Sequence, residues 1–189
     1  MMKKHITQRS KDIIYLVDNC DKICSVNKEY EEFADENVGI KVVSKSVLNS
    51  SLWNFVTDPT TRELYRSALG LVRNGRIIKF KFRCDSPNCR RLMEMQMRCI
   101  KNGRVEFRVR TISKKNRPSQ ALWDPLSIRS NTLLHVCSWC KKIQVGDEWV
   151  EVEDAVKRLR LFERPAMPSV SHGICGQCLK ETTDILEAS

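Results

Sequence analysis

The chain has 189 residues, 41% apolar and 30% charged, with a net charge of +10. That balance is globular and excludes a disordered chain, and no apolar run approaches the ~20 residues that a membrane helix needs. Residues 1–115 carry 24 Lys or Arg against 13 Asp or Glu, whereas residues 116–189 carry 9 against 10, so the basic character sits in the first part.

Residues 1–11 are polar and basic without a clear period, and read as a flexible N-terminal segment. They lack the apolar stretch of a signal peptide, which leads us to expect a reducing cytosol. Ile13–Val17 is β-branched and apolar, a strand. Asp18–Asp21 is a turn, and Lys22–Val26 completes a hairpin. Asn27 suits a helix N-cap, with Tyr30, Phe33 and Ala34 at helical spacing behind it. Residues 35–50, with Gly39, show little periodicity.

Ser50–Val56 reads as a short helical turn burying Leu52, Trp53, Phe55 and Val56. Asp58-Pro59 opens a longer helix, since Asp can cap it and Pro is tolerated in a first turn. Leu64, Tyr65, Ala68, Leu69 and Val72 form its apolar stripe, and Asn74-Gly75 ends it. Three strands follow, over 76–84, 92–100 and 105–112. Ile78, Phe80 and Phe82, then Met93, Met95 and Met97, then Val105, Phe107 and Val109 alternate with charged residues. Period-two alternation means one buried and one wet face. Asn102-Gly103 is a hairpin turn. The three methionines are core filler, or line a plastic apolar pocket or dimer face. Lys79, Lys81, Arg83, Arg108 and Arg110 fall on the wet face, where they can meet phosphates.

Lys114–Ser119 is polar and carries Pro118, so a domain boundary is expected there, followed by a connector. Trp149–Val152 is a candidate strand, and Glu151–Leu161 a helix with Val152, Ala155, Val156 and Leu159 on one side, broken by Pro165 and Pro168. A last helix starts inside the second cysteine turn and runs to about Leu186.

The chain has nine cysteines. Four form two doublets, Cys137-Ser-Trp-Cys140 and Cys175-Gly-Gln-Cys178. A two-residue gap lets both thiolates of one turn reach a common centre, and two such turns supply the four soft ligands of tetrahedral Zn²⁺. His172 is a neighbour of this site and not a ligand. Cys20, Cys24, Cys84, Cys89 and Cys99 are an odd remainder, which argues against an oxidised framework.

The order strand, strand, short helices, longer helix and three antiparallel strands resembles a PAS domain over residues 12–115. The expected fold is α+β: a five-stranded antiparallel sheet with helices on one side, a connector over 116–133, and a treble-clef-like four-cysteine zinc module over 134–189. PAS domains hold small molecules, haem or flavin between sheet and helices, or dimerise. The resemblance implies a ligand pocket lined by Trp53, Phe55, Tyr65, Leu69, Phe80, Phe82, Met95, Met97 and Phe107. Asn88-Cys-Arg-Arg-Leu92 is only superficially like a flavin photosensor motif, because it lies on a turn between strands. No histidine falls in this stretch, which excludes a histidine-ligated haem there and leaves open a thiolate from Cys24, Cys84 or Cys99.

The tail is similar to a cysteine-rich segment at the ends of bacterial sensory and response-regulator proteins. It carries Cys137-Ser-Trp-Cys-Lys-Lys-Ile143, Trp149, Glu153 and Ser171-His-Gly-Ile-Cys-Gly-Gln-Cys-Leu179. Together the two resemblances imply a cytoplasmic signalling protein without catalysis. It would hold structural Zn²⁺ and an unidentified PAS ligand, dimerise through the PAS domain, and pass its signal to a partner such as a histidine kinase or regulator. Two alternatives are a nucleic-acid-binding regulator using the basic surface and a thiol redox sensor in which oxidation ejects zinc.

Overall fold

The computed structural model describes residues 12–38 and 47–188. The expected flexible segment 1–11 and Gly39 lie outside the described residues.

β1 (Ile13–Val17) and β2 (Ile23–Val26) form the expected antiparallel hairpin. Asp18 Oδ1 shapes its turn by accepting from the N–H groups of Cys20 and Lys22 at 2.8 and 2.9 Å. Asn27 caps α1 (Lys28–Val38): its Oδ1 accepts from Tyr30 N at 3.0 Å and also from Ile14 N at 2.9 Å, which ties the helix start to β1. The turn at Leu52–Asn54 buries Leu52 alone. A single 3₁₀ turn points only one of its side chains inward, so Trp53 and Val56 are half-buried and Phe55 is 53% exposed.

α2 (Pro59–Arg73) starts where expected. Asp58 Oδ1 accepts from Thr61 N at 2.7 Å, and Leu64, Ala68, Leu69 and Val72 are buried along one side. β3 (Ile78–Arg83), β4 (Cys89–Cys99) and β5 (Val105–Asn116) complete a sheet ordered β2-β1-β5-β4-β3, antiparallel throughout. This is the PAS-like sheet that the element order predicts. Asn102 and Gly103 both take positive φ in the β4–β5 turn, and a Cβ on Gly103 would sit 2.5 Å from Asn19 Oδ1. Met93, Met95 and Met97 are buried in the core with Phe107, so they are filler and line no open face.

β5 runs past Ile112, because backbone pairing with β4 continues to the Cys89–Asn116 register although these side chains are exposed. The strand therefore enters the polar stretch at which a boundary is expected. The connector also differs from expectation. Leu122 is buried in a second core with Leu134, Val136, Ile143, Val152, Ala155 and Leu161. Its later part is strand β6 (Arg129–Cys137) of a second sheet, ordered β8-β7-β6-β9, with β7 (Ile143–Val145), β8 (Glu148–Val150) and β9 (Met167–Gly173). β6 and β9 pair in parallel, and the chain between them holds α3 (Val152–Arg158). α3 ends at Arg158, short of the expected Leu161 and of both prolines, and Arg160 then takes φ +49°. α4 (Gly176–Glu187) packs on α2 and β3.

The two halves share one interior. Arg83 N, at the end of β3, donates to Trp139 O at 2.6 Å. The Trp139 ring lies 5.4 Å from Phe80 and 5.8 Å from Tyr65, centroid to centroid. Cys137, Trp139, Cys175 and Cys178 are buried in the same core as the sheet methionines. Beside this seam, Arg83 and Arg117 both reach Asp85, Arg83 and Arg90 reach Glu151, and Arg90 and Arg117 reach Glu153.

Candidate metal centre and the adjoining cavity

The first doublet forms where β6 ends. Cys137 closes the strand, and the chain turns through Ser138-Trp139-Cys140. Lys141 then takes a left-handed φ of +59° and returns its N–H to Cys137 O at 3.0 Å. A left-handed residue here reverses the chain within the space of one knuckle, at some conformational cost for a residue with a Cβ. The second doublet opens α4. Cys175 is the N-cap, and its Sγ accepts from Cys178 N at 3.4 Å, while Cys175 N donates to Cys137 Sγ at 3.4 Å. N–H donors and a helix N-terminus both favour the thiolate over the thiol.

All four Sγ atoms lie within 4.8 Å of one another, and Cys140 and Cys175 are 3.8 Å apart. A regular tetrahedron of four sulfurs around zinc, with Zn–S of about 2.3 Å, has S···S edges of about 3.8 Å. The donor set and its spacing therefore fit a soft, tetrahedral divalent ion. Cys137, Cys175 and Cys178 are buried, Cys140 is partly so, and none of the nine cysteines is in a disulfide. Left with protons alone, the thiols share them unevenly. Hydrogen bonds from Cys140 and Cys178 hold the Cys137 thiol below its ordinary range, and the same bonds push the Cys140 and Cys178 thiols up. A divalent cation replaces those shared protons and favours the thiolate at all four.

His172 is exposed on β9 and is not among the clustered donors. It lines a cavity of about 360 Å³ that runs between the start of α2, the end of β3 and the first cysteine turn. Phe55, Tyr65, Phe80 and Phe82, all expected at a ligand pocket, line this cavity. The other candidates sit elsewhere. Leu69, Met95, Met97 and Phe107 are buried in the core, and Trp53 donates its ring N–H to Asp21 Oδ2 at 3.0 Å. Sequence patterns missed Trp139, Lys141, Asp58 and Thr61, which also line the cavity. A large aromatic between two ligand cysteines was the available sign for Trp139, because a side chain of that size needs a hydrophobic floor.

The basic face is largely paired. Arg83 bonds Asp85 and Glu151, Arg108 bonds Glu106 and Asp12, and Arg110 bonds Glu94. Of the five cations expected to meet phosphates, only Lys79 and Lys81 are exposed without an ion pair among the described residues. Alternation along a strand assigns a side, but it cannot see a cross-strand carboxylate that neutralises it.

No helix among the described residues is long and apolar enough to cross a membrane. No protein-family model matches the sequence. No curated protein matches it either. Among solved structures, a domain of an HTR-like protein from Haloarcula marismortui ATCC 43049 is similar at 16% identity, covering 55% of this chain and 100% of that one, with a TM-score of 0.38. The PAS domain of an HTR-like protein from Haloarcula marismortui is similar at 21% identity, covering 55% of this chain and 89% of that one, with a TM-score of 0.39.

Proposed function

We propose that this chain is a cytoplasmic signal-transduction protein without catalytic activity, in which a PAS-like domain senses a small ligand and a structural Zn²⁺ site fastens the tail to it. The observation that carries this is Trp139. The residue belongs to the cysteine turn by sequence and to the sheet by packing, since its ring lies against Phe80 and Tyr65. Anything that shifts the sheet end near β3 is therefore felt at the metal site, and the reverse. A ligand biases such a coupled element only by binding its two arrangements unequally. Four sulfur ligands would complete a tetrahedral shell and leave no open position for a reacting water, which supports a structural over a catalytic ion. Output passes by protein contact, to a partner such as a kinase or regulator or to a second copy of this chain.

Native mass spectrometry of the purified protein tests this. One zinc per chain together with a retained small molecule is the expected result. A protein that folds and carries no metal would overturn the clamp. The redox alternative has less support, because three of the four cysteines are buried and only Cys140 is partly accessible to oxidant.

A further inference from the structure

The seam cavity holds a pattern of unmet polar demand. Thr61 and Trp139 line it, both more than nine-tenths buried, and Thr61 Oγ1 and Trp139 Nε1 have no hydrogen-bond partner among the described residues. Buried polar groups of this kind are normally satisfied, and Thr61, which borders this cavity, points to an absent partner there, whereas Trp139 also borders two neighbouring cavities. The third group is Lys141. Its Nζ donates to Ser138 O at 3.0 Å and makes no ion pair among the described residues. The other charges on the wall are accounted for: Arg83 is held by Asp85 and Glu151, and Asp58 caps α2. Lys141, which makes no ion pair among the described residues, and Thr61 thus share this wall with the aromatic rings of Tyr65, Phe80 and Phe82. The volume of about 360 Å³ is at the small end for ligand sites.

We propose that this cavity binds a small aromatic carboxylate, its ring among Phe80, Phe82 and Trp139 and its carboxylate anchored by Lys141. This deepens the sensor function proposed above and rests on it, but it moves the ligand from the sheet–helix interior to the seam between the PAS-like domain and the cysteine module. A carboxylate there accepts from the ammonium and gives the Thr61 hydroxyl an acceptor, whereas the neutral amide of the same ring forfeits the charge-assisted bond. Binding at the seam bears on both halves at once, which is what a relay requires.

The test is calorimetric titration of the zinc-loaded chain with phenylacetate and indole-3-acetate, each against its own amide. At least one acid binds, and its amide binds at least tenfold more weakly. Lys141→Met removes that preference while zinc content, read by metal analysis, is retained. Thr57→Trp fills the cavity mouth without touching the cysteine turn, and it abolishes binding even if the Lys141 variant is poorly folded. Equal affinity for acid and amide, failure of both acids to bind, or binding that survives Thr57→Trp overturns the proposal. So does a Lys141→Met chain that loses zinc affinity and keeps the acid preference, because Lys141 would then serve only to balance the metal-bound thiolates. None of these outcomes touches the sensor function itself, which falls instead if the native protein carries neither metal nor any retained ligand or partner.

Discussion

Single side chains set the strength of the seam, and Trp139 is foremost among them. It is 7% exposed and touches two aromatic rings of the sheet half, yet its ring nitrogen has no partner among the described residues. Its contribution is therefore packing rather than hydrogen bonding. Trp139→Ala should cost about 3–5 kcal/mol, the usual range for emptying a buried aromatic site. Trp139→Phe should cost less than half of that, since no hydrogen bond is lost with the indole. Urea unfolding of both variants checks the order, and a phenylalanine variant as weak as the alanine one would contradict it. Glu106 offers a second, titratable test. Burial alone would raise its carboxyl, but the Arg98 guanidinium, bonded at 2.9 Å, and the nearby Arg108 hold it below the ordinary glutamate value. A carboxyl depressed in the folded state adds stability that is present above its unfolded pKa of about 4.3 and is lost as pH falls through the lower folded value. Glu106→Gln should thus destabilise by about 1 kcal/mol at pH 7, and the gap to wild type should close below pH ~4. A gap that stays constant with pH would show that shape, and not charge, is what Glu106 supplies.

Secondary elements were legible in proportion to how locally they are determined. The β1–β2 hairpin, α2 with its Asp58 cap, and the Asn102-Gly103 turn are written in short-range spacing and turn chemistry, and each forms where the pattern points. The two cysteine doublets were equally plain, because ligand spacing is itself a local signal. β6 was not. Arg129-Ser-Asn-Thr-Leu-Leu-His-Val-Cys137 has no clean alternation, and along most of its length it pairs with β9, which lies beyond a long crossover, while the nearby β7 meets it at Val136. The ion pairs at the seam were invisible for the same reason: Arg83, Arg90 and Arg117 meet Glu151 and Glu153 from far along the chain. That network bears a graded prediction. The Asp85 side chain is 1% exposed and serves both Arg83 and Arg117, whereas that of Arg90 is 34% exposed. Asp85→Asn leaves two poorly solvated guanidinium groups short of charge and should cost about 3 kcal/mol or more. Arg90→Ala should cost under about 1 kcal/mol and lose even that at high salt. Thermal melts at low and high ionic strength separate the two, and equal costs would mean the network acts as a loose surface patch.

At the scale of the whole molecule, the question is whether the chain has one cooperative unit or two. Composition suggested two, with a basic first part and a nearly neutral tail around the cysteines. Packing argues for one. The sheet methionines, Tyr65, Phe80, Trp139 and three of the four cysteines lie in a continuous interior, and α4 rests on both α2 and β3. The second core, around Leu122 and Ile143, backs the cysteine turn from the other side, with Val136 and Cys137 adjacent on β6. Metal binding should then stabilise more than its own loop. An ion that binds only the folded arrangement contributes its binding free energy to folding, and that contribution reaches every element that unfolds together with the site. Stripping the metal with a strong chelator should lower the melting temperature of the sheet itself, read by far-ultraviolet circular dichroism in the strand region, in a single transition shared with Trp fluorescence. Re-adding Zn²⁺ should restore both signals in parallel, with the midpoint rising with free zinc. Two separated transitions, in which the sheet signal ignores the chelator while the tail melts early, would mean that the Trp139 contact is too weak to couple the halves. The relay proposed above would then have no physical route through this interior.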